Sequence, residues 1–306
     1  MIAPLTESAL PLPLWRRGKV REVYDVGGSR LLIVASDRVS AFDVVMAEPV
    51  PDKGRVLTQL SAHWFTQLAH VTPTHFITAD TDAIVAELPL LAEHREQIAG
   101  RAMLVHRTDP VAFECVVRGY LAGSAWVEYR REGTLAGEPL ASGMRESERL
   151  DPPIFSPATK AESGHDENVP FSLMYQALGG LATSLRDRSQ TLYAAGRDIA
   201  GARGIIIADT KFEFGLDPQG DPILIDEVLT PDSSRFWPAA GYVEGRSQPS
   251  FDKQPLRDWL AVEKSAGRWD GNAPPPPLPE AVVSATSTRY REAYRLLVGR
   301  ELEGEL

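Results

Sequence analysis

A single cysteine, Cys115, leaves the 306-residue chain unable to close an internal disulfide, and a reducing cytoplasm is the expected setting. Six scattered histidines and that one thiol give no ligand pair at zinc spacing. The longest apolar stretches, such as 31–35 and 204–208, are strand-sized and fall far short of the roughly 20 residues of a membrane helix. The opening MIAPLTESALPLPLW has no basic segment, carries Glu7 and is broken by prolines, so it does not read as a secretory signal. Also missing are GxxxxGK[ST], GxGxxG and the HRD and DFG triplets, so any nucleotide must be held by a different loop. The net charge of −10 excludes a nucleic-acid coat or an anionic membrane as partner. A phosphate ligand would therefore need a local cluster of cations.

What is present is enough to bury a large core: 43% of the residues are hydrophobic, and the length suits two domains or one elaborated one. The first third reads as β, with strands at 18–26, 31–35 and 41–47 separated by turn-like residues, an antiparallel meander. Leu57, Leu60, Trp64 and Leu68 recur at helical spacing and predict a helix over 54–70. Strands are expected at 102–106 and 112–118, a helix at 124–131, then a polar, proline-bearing loop at 145–169 of the length that usually carries function or disorder. Beyond it come helix to about residue 200, interrupted at Gly179–Gly180, strands at 204–215 and 222–228, and helices at 255–264 and 279–300 around a stiff proline run at 274–277.

The most informative segment is IADTKFEFG, 207–215. Read with period 2, Asp209, Lys211 and Glu213 share one strand face while Thr210, Phe212 and Phe214 take the other. The following Asp217-Pro218-Gln219-Gly220 fits a type I turn. With Leu216 opposite Asp221, Asp226 would face Lys211 and lie diagonal to Glu213, roughly 7 Å away, a span a shared cation bridges. Two carboxylates and a lysine suit a magnesium-nucleotide site; they equally suit cross-strand ion pairs at a solvated edge, and a one-residue slip would turn the set over. Thr230 to Arg235 add hydroxyls and an arginine just beyond.

Three other segments stand out. In GKVREVY, 18–24, the glycine lets backbone approach an anion while Lys19 and Arg21 supply charge. RGYLAGS, 118–124, ends a strand and opens a helix, where Arg118 and Ser124 could hold an oxyanion or merely form a turn. KAESGHDEN, 160–168, is a polar loop fit for a lid or for solvent.

Together with SDRVSAFD (36–43), PDKG (51–54), ECVVRGYLAGSAW (114–126), TKAESGHDEN (159–168), DTKFEFG (209–215) and DEVLTPDSSRFW (226–237), these segments resemble, in order, the phosphoribosylaminoimidazole-succinocarboxamide synthase family. SFDKQPLRDWL (250–260) and PPPPLP look like its longer form. The resemblance implies an α+β, two-lobed fold: an N-terminal antiparallel β domain (1–110) that covers the nucleotide, and a C-terminal ATP-grasp-like α+β domain (111–306) with extra C-terminal helices, ATP lying between them. It implies ATP and Mg2+ as cofactors, carboxyaminoimidazole ribonucleotide and L-aspartate as substrates, and a monomer.

The resemblance also distributes roles. Gly18, Lys19, Val20 and Arg21 would lie over the phosphates, with Lys211 on the nucleotide and Glu213 and Asp226 on magnesium. Arg118, Ser124, Ser234 and Arg235 would hold the imidazole ribonucleotide, Lys160, His165, Asp166 and Asn168 the aspartate region, and catalytic work would fall to Lys211, Asp209 and Arg235. A carboxylate must be converted to an acyl phosphate before an amine can displace its oxygen, so ADP, not AMP, is the expected product.

Overall fold

The computed structural model describes residues 3–160 and 167–302 as an α+β protein of antiparallel sheets and helices. The chain forms two compact units, one of residues 1–63, 75–107 and 251–306, the other of 64–74 and 108–250.

In the first unit β2 (Arg21–Gly27) and β3 (Arg30–Ala35) form the expected hairpin, and β1 (Leu14–Arg17), which sequence reasoning did not place, pairs with β2 to complete a meander. The expected strand at 41–47 is only a two-residue pair, β4 (Ser40–Ala41) with β5 (Val44–Val45), because Phe42 and Asp43 between them turn with positive φ. Helix α1 (Lys53–Gln67) buries Val56, Leu57 and Leu60 at helical spacing. After it come β6 (Phe76–Thr78), α2 (Thr81–Glu87), α3 (Arg95–Ile98) and β7 (Ala102–His106), which completes a five-stranded sheet in the order β1-β2-β3-β7-β6. Tyr24, Leu32, Val34 and Leu104 from that sheet meet Ile84, Leu88, Leu91 and Ile98 in one core.

The second unit is built on another sheet. After the short β8 (Asp109–Pro110), β9 (Phe113–Tyr120) runs into α4 (Ser124–Glu132), and β10 (Thr134–Leu135) pairs with β11 (Glu138–Pro139). The long loop expected at 145–169 is in part a strand, β12 (Arg149–Phe155), followed by the short β13 (Ala158–Thr159). Its Asp151-Pro152-Pro153 disguises it: proline cannot donate to a ladder and is confined to edges, where β12 lies with an irregular register across those residues.

Helices α5 (Phe171–Leu178) and α6 (Gly180–Gly201) break at Gly179, where φ is +58°. Helix α6 buries Leu185, Leu192, Tyr193 and Gly196 on one face. The Tyr193 hydroxyl donates to the carbonyl of Ile207 at 2.7 Å, and a side chain at Gly119 would put its Cβ 1.8 Å from that hydroxyl. The central strand β14 (Ile205–Leu216) pairs with β9, β15 (Pro222–Ile225) and β16 (Ser234–Pro238), and the sheet runs in the order β12-β9-β14-β15.

The chain then returns to the first unit. Helices α7 (Gln254–Ser265) and α8 (Glu280–Val298) group with it: Leu256, Leu260, Trp269 and Leu278 share a core with Val39, Ala41, Met46 and Val50.

Candidate active site

Alternation along β14 places Asp209, Lys211 and Glu213 on one face, between neighbouring strands that supply opposite charges. Asp209 lies opposite Arg118 of β9 on one side and Arg235 of β16 on the other. Its Oδ2 accepts from Arg118 Nη1 at 3.4 Å and from Arg235 Nη1 in a short contact. The Arg118 side chain is almost wholly buried and has three further partners: Ser156 Oγ at 2.8 Å, Asn168 Oδ1 at 3.1 Å and Ser124 Oγ at 3.5 Å. Burial pulls its guanidinium below the ordinary value; Asp209 opposes that, and the nearby charge of Arg235 adds to it.

One step along the same face, Lys211 Nζ donates to Glu114 at 2.6 Å, and Lys160 Nζ to Glu213 at 2.6 Å. Burial alone would lower the Lys211 pKa, but Glu114 and then Glu213 outweigh it and hold the ammonium above its usual range. The thiol of Cys115, next to Glu114 in the strand, is pushed by burial up to about 12 and is no nucleophile. Among these groups four cations face three carboxylates. A cavity of about 210 Å³ lies against them, lined by Glu114, Arg118, Ser124, Asn168, Asp209 and Lys211 among others.

The start of α4 is shaped for the same cluster. A Cβ on Gly123, whose φ is +57°, would stand 2.3 Å from the Arg235 guanidinium, so glycine is what lets Arg235 lie against the backbone there. Ser234 pairs with Thr210 across β14 and β16, its hydroxyl 2.8 Å from that of Thr210.

One expectation is corrected. The β14–β15 pairing sets Leu216 opposite Pro222 and Glu213 opposite Ile225, one residue away from the register that would face Asp226 to Lys211. The type I turn at Asp217–Gly220 does form, with Gly220 N–H donating to the Asp217 carbonyl at 2.9 Å. Gly220 at φ +86° is followed by Asp221, whose carbonyl accepts from Asp217 N–H, and this additional bulge residue shifts the register. Strand β15 ends at Ile225, and Asp226 turns away from strand geometry with φ +64°. Glu227 contributes to the field at Lys211.

The remaining predicted residues fall as follows. Arg118, Ser124, Asn168, Asp209 and Lys211 are brought together at the cavity. Gly18, Lys19, Val20 and Arg21 occupy the β1–β2 turn of the first unit, where Lys19 Nζ pairs with Asp43 at 2.8 Å. His165 and Asp166 lie outside the described residues. Sequence reasoning missed Glu114, Ser156 and Glu128 as members of the network. Glu114 was detectable as a lone charge inside the apolar run FECVV; Glu128, which accepts from Asn168 Nδ2 at 3.4 Å, carries no such signal on its exposed-looking helix.

An α+β frame that presents a cationic, partly buried sheet face beside a small cavity is that of an enzyme acting on small anionic molecules. The chain belongs to the SAICAR synthetase family, whose model matches residues 14–274. A phosphoribosylaminoimidazole-succinocarboxamide synthase from Methylibium petroleiphilum is 52% identical over 298 residues, 96% of this chain and 98% of the relative. Its counterpart from Cupriavidus pinatubonensis is 50% identical over 295 residues, 95% of this chain and 96% of the relative. Among solved structures, the SAICAR synthase from Saccharomyces cerevisiae complexed with SAICAR superimposes with a TM-score of 0.87 at 41% identity, covering 97% of this chain and 99% of the other. A SAICAR synthetase in complex with ADP matches with a TM-score of 0.65 at 25% identity, covering 94% and 98%. No helix among the described residues is long and apolar enough to cross a membrane.

Proposed function

We propose that this chain joins L-aspartate to carboxyaminoimidazole ribonucleotide at the cost of ATP, giving the succinocarboxamide SAICAR, ADP and phosphate in purine biosynthesis. The observation that carries the reading is the paired Arg118–Asp209–Arg235 set with Lys211 one step along the same sheet face. It is a cation array, buried at Arg118 and partly exposed at Arg235 and Lys211, of the kind that binds a carboxylate or phosphate and stabilises charge on a transferred phosphoryl group. The solved relatives described with SAICAR and with ADP support the same substrate and nucleotide classes.

In the first step a carboxylate oxygen of the imidazole attacks the γ-phosphorus and ADP leaves. In the second, the aspartate amine attacks the acyl carbon, phosphate leaves and the amine loses a proton. Lys211, kept protonated by Glu114 and Glu213, acts as an electrostatic stabiliser and not as a base. Asp209, engaged by two guanidinium groups, acts by orienting Arg118 and Arg235, which with Ser124 and Ser234 hold the imidazole ribonucleotide. Lys19 and Arg21 take the nucleotide phosphates; Lys160 and Asn168, with His165 and Asp166, serve the aspartate region.

Magnesium fits the donor set, since Glu213 and Asp226 offer hard carboxylate oxygens and this ion needs only one or two of them beside water and phosphate. When bound it neutralises phosphate oxygens. The absence of any group of three or more ligating side chains among the described residues is compatible with such a sparse site. We place the enzyme in the cytoplasm as a monomer.

The reading is tested by following ADP and SAICAR with ATP, magnesium, carboxyaminoimidazole ribonucleotide and aspartate, omitting each in turn. Both products should require all four. ADP formation that proceeds equally well without aspartate, or AMP and pyrophosphate as products, would overturn it.

A further inference from the structure

The segment SDRVSAFD has no role in the chemistry above, yet two of its residues grip the Gly18–Arg21 turn. Three consecutive carbonyls of that turn are captured. Arg38 Nη2 donates to the Gly18 carbonyl at 3.1 Å and Arg38 Nε to the Lys19 carbonyl at 3.0 Å. Ser36 takes the Val20 carbonyl twice, through its N–H at 2.9 Å and its hydroxyl at 2.8 Å. Arg38 Nη1 donates to the Thr6 carbonyl and, at 3.0 Å, to Glu22 Oε1. Glu22 is itself fully buried and fixed by Ser8 N–H at 2.7 Å.

The base of this clamp is rigid. Asp37, between the two gripping residues, has no exposed surface; its carboxylate accepts from Gly54 N–H at 2.9 Å, Leu5 N–H at 2.8 Å and Arg101 Nη1 at 2.8 Å.

A trans peptide sets N–H opposite C=O, so carbonyls of Gly18 and Lys19 held toward Arg38 direct the amides of Lys19 and Val20 the other way. Successive amides aimed to one side form a concavity for an anion, and carbonyl dipoles that would repel phosphate oxygens are removed from it. We propose that Arg38, assisted by Ser36, is a positioning residue for the nucleotide phosphates, presenting the amides and cations of the Gly18–Arg21 turn. This rests on the reading that the turn faces phosphate. Arg38 itself is turned inward, only 13% exposed, and is not assigned a ligand contact.

The test uses the full-length enzyme and titrates ADP by calorimetry, beside steady-state kinetics. Arg38→Lys keeps the charge beside Glu22 but cannot span the Gly18, Lys19 and Glu22 acceptors. The pair Glu22→Gln with Arg38→Met removes the buried carboxylate together with its less exposed partner, leaving Arg17, the other partner, half-exposed to solvent, and guards against misfolding. Each should weaken ADP binding about tenfold and raise KM for ATP in proportion, as loss of preorganised charge-assisted contacts predicts. KM for the imidazole ribonucleotide and for aspartate should stay within about twofold.

Lys19→Ala separates the two ideas. If it weakens ADP binding while both Arg38 variants bind ADP as the wild type does, the positioning role is wrong and the phosphate-facing turn stands. If Lys19→Ala leaves ADP binding unchanged, the phosphate-facing turn is wrong and the inference falls with it. Parallel weakening of every ligand together with a lowered Tm assigns Arg38 a general structural role and also overturns it.

Discussion

Asp209→Asn removes the charge between two guanidinium groups while leaving the shape of the side chain. Arg118 lies 3.4 Å from that carboxylate with only 6% of its side chain exposed, so solvent screens the pair little. At an effective dielectric of about 20, attraction over that distance is about 5 kcal/mol. The amide oxygen still accepts one hydrogen bond, and Arg118 keeps Ser156 and Asn168. The net loss should therefore sit near the lower end for a broken buried pair, about 3 kcal/mol. That corresponds to a fall of about 6–12 °C in the transition that unfolds the second unit, read by calorimetry.

The loss stems from leaving Arg118 buried beside Arg235 with Glu128 as its remaining counter-charge, so adding Arg118→Met should recover about half of it in a double-mutant cycle. A Tm within about 1 °C of the wild type for Asp209→Asn, or strict additivity of the two substitutions, would refute this account of the sheet face.

Three other outcomes are expected. Lys211→Met should lower kcat by about a hundredfold or more, as removal of a charge-stabilising donor does, and pH–rate profiles of the wild type should show no Lys211 limb in the neutral range because its pKa is raised. Glu128→Gln should loosen Asn168 from Arg118 and raise KM for the imidazole ribonucleotide about threefold to tenfold with kcat little changed; an unaltered KM would detach Glu128 from the site. At Glu22, burial tends to raise the carboxyl pKa, but the hydrogen bonds from Ser8 and Arg38 outweigh it and leave the value lowered. A lowered folded-state pKa stabilises fully above the unfolded carboxylate range and is lost as pH falls through the folded value, so acid unfolding should be shallower in Glu22→Gln, measured by circular dichroism against pH.

The parts of the fold that local pattern dictates were legible. The β2–β3 hairpin, α1, the break at Gly179 and the single-sided charges of β14 follow from period and turn chemistry alone. What escaped depended on partners distant in sequence. The hairpin register turned on one bulge residue after a correctly read turn, because Gly220 at positive φ adds Asp221 to the loop. Strand β16 was not placed because Thr230-Pro231-Asp232-Ser233 precedes it with turn-forming residues, and pairing with β14 decides the matter for Ser234–Pro238. The C-terminal helices carry no mark in their own sequence of the residues 39–50 that they cover. At the site, Arg118 and Arg235 were legible as cations near turns and Asp209 as a charge on a strand face, but their convergence on one carboxylate needs the register of three strands.

The central claim is that the imidazole carboxylate is phosphorylated before aspartate attacks. Carboxyaminoimidazole ribonucleotide labelled with 18O in its carboxylate, turned over with ATP and aspartate, tests it directly by mass spectrometry of the released phosphate. One labelled oxygen should appear in each phosphate, carried from the carboxylate across the acyl phosphate. Unlabelled phosphate at full turnover, with the lost carboxylate oxygen released as labelled water, would contradict that route.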